Sequence, residues 1–429
     1  MFFHLKPAWL QAALWILLMS SGLAQAQEMP NPAAIISEVL SSHPAIRRAQ
    51  HNVESAEAIL SGSRAQSNPV LTLSAVAGDP EENSNSISQS LEISGQPRLR
   101  HEQAQARLQA AQLQLESEKR RIAILVYGNW LQLWESQHLA MMARLRRDLM
   151  TEMVRVTKRR YEVGETLQNE SLRVELAAAE AEADQRKAEA AYQAASRSLN
   201  LLRGISVTDG AELLSVPEVS FDNITVIFDS PALASSEPWT LEQTLASAND
   251  QFDVEALRQE QRASELTAEL TGKERAPQLG LALYRSRFFS NIYEQGAQLS
   301  ISIPLFDWGS ISSKKKAQLA EAKAQSAQID ERVLELQREV AELWNQWQAA
   351  IAVRDILQTQ ASRYEELARE SRVGYDLGLL TLTDVLQTET AFRQAGVQLI
   401  QSQAEIRRLE LSLLERTNLP WPNQLLEEQ

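Results

Sequence analysis

Tyr375-Asp-Leu-Gly-Leu-Leu-Thr-Leu-Thr-Asp-Val-Leu386 lies in the middle of a proline-free run between Pro304 and Pro420. Proline is the strongest helix breaker, so a run of this length can be helical on both sides of Gly378. Glycine after a helical stretch signals a C-cap, and the quoted stretch therefore reads as helix, tight turn, helix. Tyr161-Glu-Val-Gly164 repeats the signal inside a second proline-free run, between Pro97 and Pro217. The helix predicted from about Arg98 to Tyr161 would be on the order of 95 Å long at 1.5 Å per residue.

Periodicity supports coiled-coil packing of these helices. Ile329, Val333, Leu336, Val340, Leu343, Trp347 and Ala350 alternate steps of four and three. Val385, Phe392, Leu399, Ile406 and Leu413 recur every seventh residue, as do Val174, Ala181, Ala188, Ala195 and Leu202. Such a seam drives left-handed supercoiling, and alanine lets helices approach closely.

The two halves of the chain echo one another at an offset of 214. Tyr161, Gly164, Trp130 and Val126 correspond to Tyr375, Gly378, Trp344 and Val340. Upstream, Asn68–Leu73 resembles Ala276–Leu281, and Ser86–Ile93 resembles Gln298–Leu305. Each half reads as helix, two strands, long helix, turn, helix. Leu71, Leu73 and Ala75 alternate, as do Ile87, Gln89, Leu91 and Ile93, Leu279, Leu281 and Leu283, and Leu299, Ile301 and Ile303. Polar loops are predicted at Gly78–Asn85 and Ser286–Tyr293. The strands approach the length of tilted membrane strands, and soluble hairpins fit the same pattern. Four strands cannot close a membrane barrel, so a spanning reading requires oligomerisation.

Composition narrows the function. The 429 residues hold 6% aromatics, no cysteine and a net charge of −14. Absence of cysteine excludes disulfides, thiolate metal sites and a lipidated N-terminal Cys. Nucleic acid is not an expected partner, because phosphate repels an acidic chain. Lys6, the apolar run Ala8–Leu18 and Ala24-Gln-Ala26 read as a secretory signal cleaved before Gln27. No catalytic or metal-binding constellation stands out: His43 and His51 are eight apart, and there is no phosphate loop or nucleophile elbow. The tryptophans at 130, 134, 344 and 347 read as packing knobs.

The repeat order, Pro304-Leu-Phe-Asp-Trp-Gly309 and the Tyr375–Leu386 stretch together resemble the TolC-like outer membrane factors, over nearly the whole mature chain. That resemblance implies a mainly α fold with a small β part. Long coiled-coil hairpins would form a trimeric α-barrel, and each subunit would give four strands to a shared twelve-stranded transmembrane β-barrel. The implied division is a signal peptide (1–26), a first repeat (27–214), an equatorial linker (215–239), a second repeat (240–418) and a short tail (419–429). The implied role is the outer membrane exit duct of a tripartite pump, and no enzyme. Its partners would be a periplasmic adaptor, an inner membrane transporter of the resistance-nodulation-division type and outer membrane lipid of a Gram-negative bacterium, without a cofactor. The Leu91–Arg100 stretch is similar to the subgroup paired with heavy-metal cation exporters, and drugs are the other implied cargo.

Residue by residue, the family's tip motif falls on Val163-Gly164-Glu165 and Leu377-Gly378-Leu379, where Glu165 departs from the pattern. These residues serve either as a bare helical turn or as an adaptor contact. The family's pore acids fall on Asp384 and, at the repeat offset, Glu170. An acid at a helix N-terminus also suits the macrodipole, so capping competes with gating here. One turn later Gln387 and Arg173 stand where relatives carry acid. Tyr375, with Tyr161 as its repeat counterpart, matches a gate-latch tyrosine, while Leu380 replaces the latch arginine. The competing function is a soluble periplasmic coiled-coil or chaperone-like protein. An adaptor is disfavoured, since it would hold a single helical hairpin among Gly- and Val-rich β modules.

Overall fold

The computed structural model describes residues 29–76, 79–205, 216–217, 239–287 and 294–420. The expected signal peptide, nearly all of the equatorial linker and most of the tail lie outside the described residues.

Eight α-helices and four strands are described. The first half runs α1 (Pro32–Ser42), α2 (Pro44–Gly62), β1 (Val70–Val76), β2 (Asp79–Glu92), α3 (Gln96–Glu162) and α4 (Gln168–Leu202). The second half runs α5 (Leu241–Asn249), α6 (Phe252–Gly272), a 3₁₀ turn (Lys273–Arg275), β3 (Gln278–Arg287), β4 (Glu294–Ser302), α7 (Ser310–Asp376) and α8 (Leu382–Arg416). Both α3 and α7 have 67 residues, and both α4 and α8 have 35. A 67-residue helix spans about 100 Å. The starts of α3 and α7, 96 and 310, differ by the offset of 214. Each long helix begins after a left-handed glycine, Gly95 at φ +87° and Gly309 at φ +84°.

Two sequence expectations need correction. The single helix expected before each strand pair is two helices. Pro44 sits at the start of α2, where its missing N–H costs nothing, and His43 accepts from Ala45 N–H at 3.2 Å. The second break falls at Asp250–Gln251. The loop expected at Gly78–Asn85 is mostly strand, because β2 starts at Asp79, opposite Val76 of β1, and from Asn83 onward pairs with both β1 and β3. Likewise β3 takes in Ser286 and Arg287. Polar side chains hid these strand ends, since ladder hydrogen bonding belongs to the backbone.

The helices pack side by side as one wall. Near the sheet, α3 packs on α2 and α6, and α6 on α7. Farther out, α4 packs on α3, α3 on α8, and α8 on α7. The predicted seams are inside: Val174, Ala181 and Ala195 of α4, Ile329, Leu336, Val340 and Trp347 of α7, and all five heptad residues of α8 are buried. Trp130 and Trp134 join the largest core cluster, and Trp130 Nε1–H donates to Pro30 O at 2.8 Å.

The sheet is antiparallel in the order β1-β2-β3-β4. Its register sorts side chains by face. Leu71, Ile87 and Leu283 are cross-strand neighbours, as are Gln89, Leu281 and Leu299, and Leu91, Leu279 and Ile301. The opposite face aligns Thr72, Ser86, Tyr284 and Gly296, then Val70, Ser88, Ala282 and Gln298, then Ser90, Gly280 and Ser300. The leucine face is bare: Leu73 is 68% exposed and Leu299 67%. No described helix is long and apolar enough to cross a membrane.

Candidate functional site at the hairpin tips

The wall ends, far from the sheet, in two helical turns. Gly164 and Gly378 reverse the chain at φ +81° and +73°, where a Cβ would be strained. Each turn closes with the same pair of bonds. Gly164 N–H donates to Tyr161 O at 3.0 Å and Glu165 N–H to Arg160 O at 2.8 Å. Gly378 N–H donates to Tyr375 O at 3.0 Å and Leu379 N–H to Gly374 O at 2.8 Å. Val163, Glu165, Leu377 and Leu379 project into solvent around these glycines. Val373, Gly374, Leu377 and Leu379 line a shallow groove of about 410 Å³, flanked by Arg369 and Glu370.

Asp384 and Glu170 both follow the turns, and Asp384 caps its helix. Thr381 N–H donates to Asp384 Oδ2 at 3.0 Å, Thr381 Oγ1–H donates to the same oxygen at 2.6 Å, and Asp384 N–H donates to Thr381 Oγ1 at 3.3 Å. This capping box starts α8. The Thr381 hydroxyl, followed by its backbone N–H, holds the Asp384 carboxyl below the usual carboxylate range. Glu170 instead accepts from the Thr166 hydroxyl. Gln387 and Arg173 are exposed, and Arg173 Nη1 donates to Thr383 Oγ1 at 3.4 Å, tying the first turn of α4 to that of α8.

The two tyrosines differ. Tyr161 is exposed, whereas Tyr375 is buried against Leu382, Val385 and Met153. Leu380 packs on Gly374: a Cβ there would meet its Cδ1 at 2.9 Å. The cation at Tyr375 comes from the other hairpin. Arg160 lies over the Tyr375 ring at 4.6 Å, and its two terminal nitrogens point to Tyr375 O at 3.5 Å and Asp376 O at 3.4 Å, the last carbonyls of α7. A cation there is favoured by the ring face and by the helix C-terminus.

Deeper in the second hairpin, Glu389 of α8 is 7% exposed and pairs with Arg372 of α7. Burial pushes the Glu389 carboxyl above its ordinary value, against the pull of Arg372. Sequence reading missed both Arg160 and this pair. The one available signal was the Arg159-Arg160 doublet in the last turn of α3, a charge placement that serves helix ends. Among the described residues no cluster of His, Asp or Glu is arranged to hold a metal ion.

Solved structures share this architecture. The chain is similar to VceC of Vibrio cholerae (TM-score 0.70, 16% identity, 91% of this chain and 97% of that one). It is also similar to the open state of the Neisseria gonorrhoeae MtrE channel (TM-score 0.69, 16% identity, 90% and 88%). A third is the Campylobacter jejuni CmeC channel (TM-score 0.68, 12% identity, 90% and 85%). At these identities the likeness shows the fold alone. No curated protein matches the chain. The sequence pattern of outer membrane efflux proteins matches residues 35–204 and 243–418, which together make up most of the chain. With both tips, all four strands and nearly all of the helices falling inside those two stretches, the chain belongs to the outer membrane efflux protein family.

Proposed function

We propose that three copies of this chain form the outer membrane exit duct of a tripartite efflux pump. The observation that carries this reading is the two-faced sheet. An exposed face rich in Leu and Ile suits lipid, and a face dominated by small and polar residues suits a water-filled lumen. Among the described residues the outer edges of β1 and β4 have no strand partner, which three copies joined edge to edge would supply. The helical wall has matching free sides. Leu172 and Leu176 on α4, and Val353, Ile356 and Leu367 on α7, are exposed at its two margins. Such a head-to-tail contact closes a ring.

In that ring Asp384 and Glu170 narrow the periplasmic entrance, with Gln387 and Arg173 one turn farther in. Six carboxylates near one level favour cations over anions. Arg160 and Tyr375 hold the two hairpins of one copy together at the tip. Val163, Gly164, Glu165, Leu377, Gly378 and Leu379 meet a periplasmic adaptor, which connects the duct to an inner membrane transporter. Metal cations are the favoured cargo and drugs the second; transport through the duct is passive.

Two experiments test this. Leu283→Arg places a charge on the lipid face and is expected to cost about 2–4 kcal/mol of insertion near midplane, whereas Ser88→Arg on the lumen face inserts normally. Equal tolerance of both, read by outer membrane fractionation and heat-modifiable trimer migration, would sink the barrel reading. Asp384→Asn with Glu170→Gln is expected to lower cation selectivity in planar-bilayer recordings. Unchanged conductance and selectivity would remove the gate assignment.

A further inference from the structure

The junction between β4 and α7 carries an unusual surface. Ile303, Leu305, Phe306 and Trp308 are all exposed, Phe306 at 80% and Trp308 at 96%. The two rings lie 6.3 Å apart. Trp308 is the only non-glycine residue at positive φ among the described residues, at +49°. Its neighbours fix it there: Asp307 accepts from Gly309 N–H at 3.3 Å and Ile311 N–H at 3.1 Å, and pairs with Arg275. A large apolar side chain held in strained backbone and turned to solvent has no use within the chain itself. At the same place in the first repeat stand Glu92 and Ser94.

Charge adds a second, independent mark. The four helix–strand junctions (63–69, 92–102, 272–278, 303–316) carry eight Lys and Arg against four Asp and Glu, in a chain of net charge −14. Lys314 and Lys316 are exposed in the first turns of α7, and Lys315 lies along Gly272. They sit about 9–12 Å along the helix from Trp308, within reach of a snorkelling lysine. The aromatic pair continues the bare apolar strand face at Ile303, and the lysines follow on the helix side.

From this continuity and charge order we propose that Phe306, Trp308, Lys314 and Lys316 form a station for anionic phospholipid headgroups. It rests on the barrel reading above. The rings settle at the boundary between acyl chains and headgroups, and the ammonium groups meet lipid phosphates. Three such stations per ring fix the depth of the barrel.

The test uses the full chain, reconstituted into phosphatidylcholine vesicles with and without phosphatidylglycerol. The wild type should incorporate preferentially into the anionic vesicles. Lys314→Gln with Lys316→Gln should reduce that preference on the order of fivefold per lysine, and 0.5 M salt should act likewise. Phosphatidylcholine brominated near the headgroup should quench the wild type more than Trp308→Phe. Equal incorporation into both vesicle types, or equal quenching, overturns the proposal. So does lowered heat stability of the Trp308→Ala trimer with unchanged quenching, which would assign the rings to a contact between copies. Failure of every variant and of the wild type to enter any vesicle would instead indict the barrel reading.

Discussion

The two tips perform the same reversal with different parts. At the repeat offset Arg160 corresponds to Gly374, Thr166 to Leu380 and Leu167 to Thr381. The second turn carries its own cap and ion pair. Leu380 covers Gly374, Thr381 and Asp384 cap α8, and Arg372 neutralises Glu389 across the hairpin. The first turn has Leu167 at the N-cap of α4, which makes no side-chain cap bond, and it sends Arg160 to its neighbour. Duplication thus left one tip with its own cap and one without, joined by Arg160.

The largest break in this contrast should come from Arg372→Ala. It leaves Glu389 buried without its cation, at an expected cost of about 3 kcal/mol. The Glu389 carboxyl is already raised by burial and would rise further in the variant. A carboxyl raised in the folded state destabilises most at neutral pH, and stability returns as pH falls through the raised value. Thermal denaturation of the trimer between pH 7 and pH 5 should show the variant regaining ground on the wild type. A constant deficit would mean that Glu389 is already protonated.

Exchanging the caps should have a smaller effect. Thr381→Ala is expected to cost about 1 kcal/mol, and Leu167→Thr to return a similar amount to the first tip. Hydrogen exchange of the first turns of α8 and α4 would read each change locally. Because Asp384 is lowered by Thr381, the second cap is fully effective above the ordinary Asp range and weakens as pH falls through the lowered value. Thr381→Ala should flatten that acid dependence.

The smallest effect on stability should come from Arg160→Gln, since its bonds to Tyr375 O and Asp376 O are long. A partly exposed cation–π contact contributes about 0.5–1 kcal/mol. Open probability in planar bilayers should nevertheless rise roughly two- to fivefold per copy, from the same contact energy. Unchanged gating would reduce Arg160 to a helix cap.

Much of the architecture was legible in the sequence because it rests on backbone rules. Gly164 and Gly378 had to be glycine-like turns, and the seven-residue seams had to face neighbours. The strand end at Asp79–Asn85 was not legible, since its side chains are those of a loop and only the partner strand declares it. The break at Asp250 has no proline to announce it. At the tips, Thr381–Asp384 could be read as a cap from spacing. Arg160 could not be linked to Tyr375, because 215 residues separate them and only the packing of α3 on α8 brings them together. Glu389 looked like one solvated acid among many, and its burial depends on the seam of a neighbouring helix.

The unpaired margins of the sheet and the wall also govern how the protein comes to exist. A single copy carries two raw strand edges, β1 and β4, and a bare leucine face. In the trimer proposed above, such a copy is a reactive species in water until it meets two identical ones. The rate of maturation then rises steeply with the amount exported, and sparse synthesis prolongs exposure to proteases and to wrong partners. Residues such as Leu281 and Leu299 would thus tie the yield of that trimer to the amount of chain made.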